Sequence, residues 1–215
     1  MSILMEYSVH QVHISSDMPY TTGSMVYIPY IIAGFLSLLV ADLFQVRNFG
    51  PGAVGALVLG YATITISVLF ALMTNRISLP PDFFRFLLFA VSVIGGVLLL
   101  YSTIIEIPLL QRTGWLGTEA TPGAGERIAI TTGTYGLVRH PGFLWMVLAT
   151  APISLAYLDA TVSAALLAVN LGNLALVVIE DTLLFPRIFV NYRSYKKHVP
   201  FLWPGRLRGR KNPHH

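Results

Sequence analysis

The chain has no cysteine. Disulfides, thiolate nucleophiles and cysteine-ligated zinc are therefore excluded. Six histidines are present, but no two stand at metal-ligand spacing within an apolar run, so no metal site is expected. Charge is also scarce. Asp, Glu, Lys and Arg make up 11% of the 215 residues, against about 25% in an ordinary soluble domain. Residues 1–24 include Glu6 and Asp17 but neither Lys nor Arg, so the basic start of a secretory signal is missing and the segment reads as a short polar tail. There is no internal repeat and no low-complexity tract. The net charge of +4 is modest, and no nucleic-acid partner is expected.

What is present is apolar. Hydrophobic residues make up 54% of the chain, and the mean hydropathy is +0.67. Five uncharged runs are long enough to cross a bilayer, which needs about 20 residues of helix. They cover residues 25–41, 53–73, 86–105, 141–158 and 160–180. Open strands leave backbone groups unpaired in lipid, so these runs predict helices. The chain reads as one all-α, polytopic membrane domain spanning 1–215, with the bilayer as its first partner. "DAT" between the fourth and fifth runs predicts a tight turn and an antiparallel helical hairpin.

The basic residues are unevenly divided. With five spans, 12 of the 14 Lys and Arg fall on one side of the membrane, and only Arg76 and Arg85 on the other. Basic loops stay in the cytoplasm. The N-terminus is then outside, and the segments 111–140 and 186–215 face the cytoplasm. Tyr20, Tyr27, Tyr30 and Tyr157 fall at the outer interface as an aromatic belt. The acidic residues Asp42, Glu106, Glu180 and Asp181 end their spans at a common inner depth, where charge is costly and tends to mark function. Asp42 and Asp181 are expected to reach water from the helix ends.

The stretch "TYGLVRHPGF", Thr134 to Phe143, sits at the mouth of the fourth run. Pro is favoured at the first helical position because it lacks the N–H that would go unpaired there. Pro141 therefore opens the helix and His140 caps it. The free N–H groups of Gly142, Phe143 and Leu144 then face the cytoplasm, where a helix N-terminus attracts anions. Arg139 and His140 strengthen that field, and Gly142 allows close approach to the backbone. Tyr135 adds an aromatic ring just upstream.

In the fifth run Asn170, Asn173, Val177 and Glu180 share one helical face. Asn170 reads as glue between helices. Glu180 would lie beside the N-terminus of its hairpin partner. A carboxylate next to an anion-binding helix end suits a zwitterionic or sulfonium ligand. Beyond it, Pro186 can open another helix on which Ile188, Tyr192, Tyr195 and Val199 form a stripe, predicting an interfacial amphipathic helix that either anchors at the membrane surface or covers the doorway. The tail "RLRGRK", Arg206 to Lys211, reads as contact with anionic lipid.

Three segments, "TTGTYGLVRHPGF", "IEDTLLF" and "NYRSYKKHVPFLWP", resemble in order and spacing the isoprenylcysteine carboxyl methyltransferase family. That family consists of integral-membrane enzymes related to phospholipid N-methyltransferases and a bacterial methanethiol S-methyltransferase. The resemblance covers about the last 90 residues. It implies transfer of a methyl group from S-adenosylmethionine (SAM) to a small lipophilic acceptor (a carboxylate, thiol or amine) entering from the bilayer. It further implies that Tyr135, Arg139, His140, Pro141, Gly142 and Phe143 line the cofactor, that Arg127, Ile128, Ala129 and Ile130 form the preceding wall, and that Glu180 holds SAM from the fifth span. No dedicated catalytic base is evident.

This chain also departs from the family pattern. Phe143 replaces the usual tyrosine, Trp145 a glycine, and Asp181 the second glutamate. Leu176 stands where prenylcysteine enzymes carry a substrate-binding arginine, which points away from a carboxylate and toward a more neutral acceptor. Trp145, Asn173 and Leu176 are the candidate substrate contacts. Two other readings stay open. One is an NADPH-dependent membrane reductase of the sterol reductase type, which would carry asparagine in place of Gly142. The other is a transporter or lipid-binding protein, which would spread polar residues through the bilayer midplane.

Overall fold

The computed structural model describes residues 26–47, 49–74, 82–106 and 127–203. Every regular element among them is helical. Helices α1 (Tyr27–Val46), α2 (Gly50–Thr74) and α3 (Phe83–Leu100) come first, and α3 runs on into a π-helical turn, Tyr101–Glu106. A single 3₁₀ turn, Gly133–Gly136, precedes α4 (Pro141–Tyr157) and α5 (Ala160–Ile179). Helix α5 also continues as a π-helical turn, Glu180–Leu184, before the short helices α6 (Phe185–Ile188) and α7 (Tyr192–His198).

The five apolar runs become the five long helices. Four stretches are long and apolar enough to cross a membrane: Tyr27–Val46, Gly50–Thr74, Phe83–Thr103 and Ala160–Ile188. Helix α4, at 17 residues, is shorter. It rises about 26 Å, less than the ~30 Å of hydrocarbon in a typical bilayer.

Local chemistry sets the helix ends. The Asp82 carboxylate accepts from Arg85 N at 2.7 Å and starts α3. Pro141 opens α4 as predicted. Leu158 turns the chain in the left-handed region, at φ 52°, and Asp159 then caps α5 by accepting from Val162 N at 2.8 Å. This is the predicted hairpin, closed by a Ser154–Ser163 hydroxyl bond of 2.8 Å.

Small residues bring the helices together, as in many membrane bundles. A Cβ on Gly34 would sit 3.0 Å from Gly60 O, so α1 and α2 approach almost backbone to backbone. A Cβ on Gly95 would sit 2.5 Å from Ala149 N, which fixes α3 on α4. The core between α1, α2 and α5 is built from Ile31, Leu38, Ile64, Ala165 and Val169.

Three expectations need correction. The first helix does not stop before Asp42 but runs to Val46, because the Asp42 side chain has a partner on α5 instead of ending the span in water. Tyr27 is buried at 8% exposure and bonds Thr74 Oγ1 at 2.8 Å, so it belongs to the core and not to an interfacial belt. The C-terminal stripe is not one amphipathic helix on a membrane surface. Phe189 is extended and splits it into α6 and α7, and Ile188, Tyr192, Tyr195 and Val199 are all buried against the protein. The basic tail, Arg206 to Lys211, and residues 111–126 of the predicted cytoplasmic loop lie outside the described residues.

Candidate functional site

One end of the bundle gathers side chains from α1, α4, α5 and the segments around them. Its hub is Asp181, which is 4% exposed. The Asp181 carboxylate faces Arg139 Nη1 at 2.8 Å and Lys196 Nζ at 2.7 Å, and accepts from Tyr192 OH at 2.8 Å. Lys196 also donates to the Asp181 carbonyl at 3.0 Å. The expectation that Asp181 snorkels to water is thus overturned. Sequence spacing could not show that two cations and a phenol converge on it from two distant segments.

The same network changes the reading of the Arg139–His140 doorway. The Arg139 guanidinium is committed to Asp181, and also lies over the Phe201 ring at 5.6 Å. His140 is 6% exposed, stacked on Phe185 at 5.7 Å and edge-on to Phe201 at 5.2 Å. Burial pushes its imidazole down to about 4, against the pull of Asp181. The ring is therefore neutral near pH 7 and offers hydrogen bonds, not the positive charge that its place at a helix N-terminus suggested. Phe143 N already donates to His140 O at 3.2 Å, so one of the three α4 amides is taken.

Glu180 stands opposite these groups. Its Oε2 lies 3.7 Å from His140 Nδ1, which bears out the expected pairing of the α5 end with the α4 start. The Asp42 side chain of α1 also lies within hydrogen-bonding reach of Glu180.

Glu106, at the end of the π-helical turn after α3, is 3% exposed. Its carboxylate accepts from Thr134 N at 2.6 Å and from Thr134 Oγ1, capping the Gly133–Gly136 turn. Gly133 takes φ 60°, and an added Cβ there would run into the Glu106 carboxylate. The turn presents Tyr135, whose carbonyl accepts from Tyr195 OH at 2.5 Å. Burial together with Glu106 raises the Tyr135 phenol, and burial with Tyr135 raises that of Tyr195, so both stay neutral.

The predicted wall, Arg127 to Ile130, is held from the other side. Asn191 clamps the backbone of Ala129 with bonds of 2.7 and 3.1 Å, and Val190 N donates to Arg127 O at 3.0 Å. Arg139 N donates to Pro200 O at 2.9 Å. The C-terminal segment therefore straps the 127–140 stretch, as expected of a cover over the doorway. Ile128 and Ile130 are half-buried within that strapped stretch, and the Arg127 side chain is exposed.

Other predicted contacts divide. An added Cβ on Gly142 would meet nothing closer than Leu99 Cδ1 at 3.8 Å, so the space before this backbone is open. Pro141 is buried, and Phe143 is half-buried beside it. Trp145 is half-buried, with an indole N–H that makes no hydrogen bond. Asn170 bonds Thr150 Oγ1 at 2.8 Å and joins α4 to α5, as read from the sequence. Asn173 is half-buried. Leu176 is buried in the core and lines a wholly apolar groove of about 430 Å³ between α1 and α5.

Comparison with protein-family models, curated proteins and solved structures finds no significant match to this chain. Its site is therefore read from its own chemistry. Among the described residues no cluster of His, Asp and Glu suits a metal ion. Asp42, Glu106, Asp181, Asn191 and Lys196 were the site residues that sequence reasoning missed or misjudged. The one signal available was the common depth of the acidic span ends.

Proposed function

We propose that the chain is an integral-membrane methyltransferase that uses SAM and a small lipophilic acceptor drawn from the bilayer. The observation that carries the reading is the meeting of His140, at the start of α4, with Glu180, at the end of α5, at 3.7 Å. It brings together two of the three segments that carry the family resemblance, and the Asn191 clamp and the Asp181 hub bring in the third.

The residues present fit the cofactor. The backbone before Gly142 is open. Thr132 Oγ1 is a buried polar atom with no hydrogen-bond partner, the condition expected where a ligand completes the set. Tyr135, His140, Gly142 and Phe143 would line SAM, Arg127 to Ile130 would form its wall, and Glu180 would take its cationic part. When bound, SAM supplies a methyl group activated on a sulfonium sulfur. Neutral His140 donates or accepts a hydrogen bond without opposing that positive charge. Arg139, Asp181 and Lys196 act one step back, fixing His140 and the C-terminal strap. The buried Tyr192 and Val199, with half-buried Phe185, exclude water from beneath them, which suits a transfer whose rate depends on orientation in a dry site.

In this reading α4 also crosses the membrane, as the fourth of five spans, the N-terminus is outside, and the polar end faces the cytoplasm, where a soluble cofactor is available. Purified protein incubated with methyl-labelled SAM and a membrane extract should yield a labelled lipophilic product by mass spectrometry. Absence of label in any product, with SAM binding also absent, would overturn the proposal.

A further inference from the structure

The groove between α1 and α5 has a direction. On α1 it is lined by Ile32, Phe35 and Leu39 from Ile28 onward, and on α5 by Leu171, Ala175 and Ile179. The next residue along the α1 stripe is Asp42, three positions beyond Leu39, and on α5 Ile179 is followed directly by Glu180. An apolar trough about 16 Å long, from the rise of the α1 helix, thus ends at the facing carboxyl groups of Asp42 and Glu180. It opens sideways toward hydrocarbon: Ile32 is 54% exposed and Leu171 57%. A buried polar ring adjoins the pair, since His140 is 6% exposed, its Nδ1 faces Glu180 at 3.7 Å, and its Nε2 faces Asp181 Oδ1 at 3.5 Å.

We infer that this groove holds the hydrocarbon chain of the methyl acceptor and that Asp42, at its end beside Glu180, receives its head, which is a basic amine. The inference rests on the methyltransferase reading and deepens it by choosing among carboxylate, thiol and amine. Charge complementarity makes the choice. A carboxylate or thiolate head would meet two carboxyl groups and be repelled, whereas an amine donates hydrogen bonds to them in either protonation state. Asp42 lies outside the three segments that carry the family resemblance, so this preference belongs to the chain itself.

Asp42 also disposes of a proton, because its carboxylate is placed to accept one from the head. The ammonium head gives up a proton there and presents its lone pair. The N–C bond then forms as the donor's S–C bond breaks, and that electron pair stays on sulfur. The methylated product leaves as a secondary ammonium.

The test uses the full chain in lipid nanodiscs with a photoreactive long-chain alkylamine, and the corresponding fatty acid and alkanethiol as comparators. The amine should crosslink to peptides of α1 and α5 with or without SAM, and of the three compounds it should be the one that is methylated. Asp42→Asn should weaken amine crosslinking and methylation roughly tenfold or more, the scale of a lost charged hydrogen bond, with SAM binding by calorimetry unchanged. Ala175→Phe, which fills the groove, should raise KM for the long-chain amine by roughly tenfold and leave a short-chain amine unaffected. Crosslinking and methylation of the acid or thiol in preference to the amine would overturn the inference while sparing the methyltransferase reading. So would SAM binding with no amine methylation, or an unchanged KM in Ala175→Phe, which would mean that bilayer lipid fills the groove. Loss of SAM binding in the unmodified chain would overturn both.

Discussion

Helix α5 begins and ends in different ways. At its start, the polar contacts are local: Asp159 caps Val162, Leu158 makes the turn, and Ser154 bonds Ser163. At its end, Glu180 and Asp181 reach groups on α1, α4 and α7, and they lie in a π-helical turn instead of a regular helix end. The π-helical turn puts one more residue into the same length, a distortion often found at functional sites. The locally closed end holds the hairpin together. The other end has buried polar atoms still without partners, and it is there that a ligand has something to complete.

Substitutions at the two ends should therefore separate stability from binding. The largest effect is expected from Asp181→Asn. It leaves Arg139 buried beside a neutral amide and weakens the hold of Lys196, so it should cost about 3–5 kcal/mol, the usual effect of breaking a buried pair, and abolish SAM binding. Thermal unfolding in detergent and calorimetry read the two losses. Glu106→Gln comes next. It weakens the cap on Thr134 by about 1.5–3 kcal/mol, and SAM affinity should fall through the loosened Tyr135 turn while the acceptor groove is untouched.

The pH dependence should come from the same end. His140 is held neutral by burial, with its folded value pushed down to about 4 from the ordinary 6.5. Between those values the unfolded chain binds the proton that the folded chain refuses. Stability from this group is complete above about pH 6.5 and declines as pH falls toward 4. The groups facing the ring are Glu180, Asp181, Arg139 and Lys196. A pH series of melting temperatures should show this slope in the wild type and a flatter one in His140→Gln. The smallest effect belongs to the start of α5. Asp159→Ala removes one cap and should cost about 1 kcal/mol with SAM affinity unchanged. If it weakened SAM binding as much as Asp181→Asn does, the contrast between the two ends would fail.

The helices were legible in the sequence because long apolar runs have few other solutions in lipid, and Pro141 and Asp159 mark their ends chemically. The meeting of α4 with Glu180 was also legible, since the short "DAT" turn leaves a hairpin no other geometry. What could not be read was which acids find partners. Asp42, Glu106 and Asp181 look alike as span ends. One faces a second carboxyl, one caps a turn 28 positions away, and one neutralises an arginine and a lysine. Those fates depend on how the helices pack, and no local pattern encodes that. The break between α6 and α7 was hidden for the same reason. Asn191, at the break, clamps Ala129, a partner 62 positions away.

The central claim is a SAM pocket where α4 meets Glu180. Its most direct test is calorimetric titration of SAM into purified protein, alongside Glu180→Gln and Asp159→Ala. Saturable binding to the wild type and Asp159→Ala, with loss in Glu180→Gln, is the predicted result. Absence of binding to the wild type, or equal binding to all three, would contradict the account.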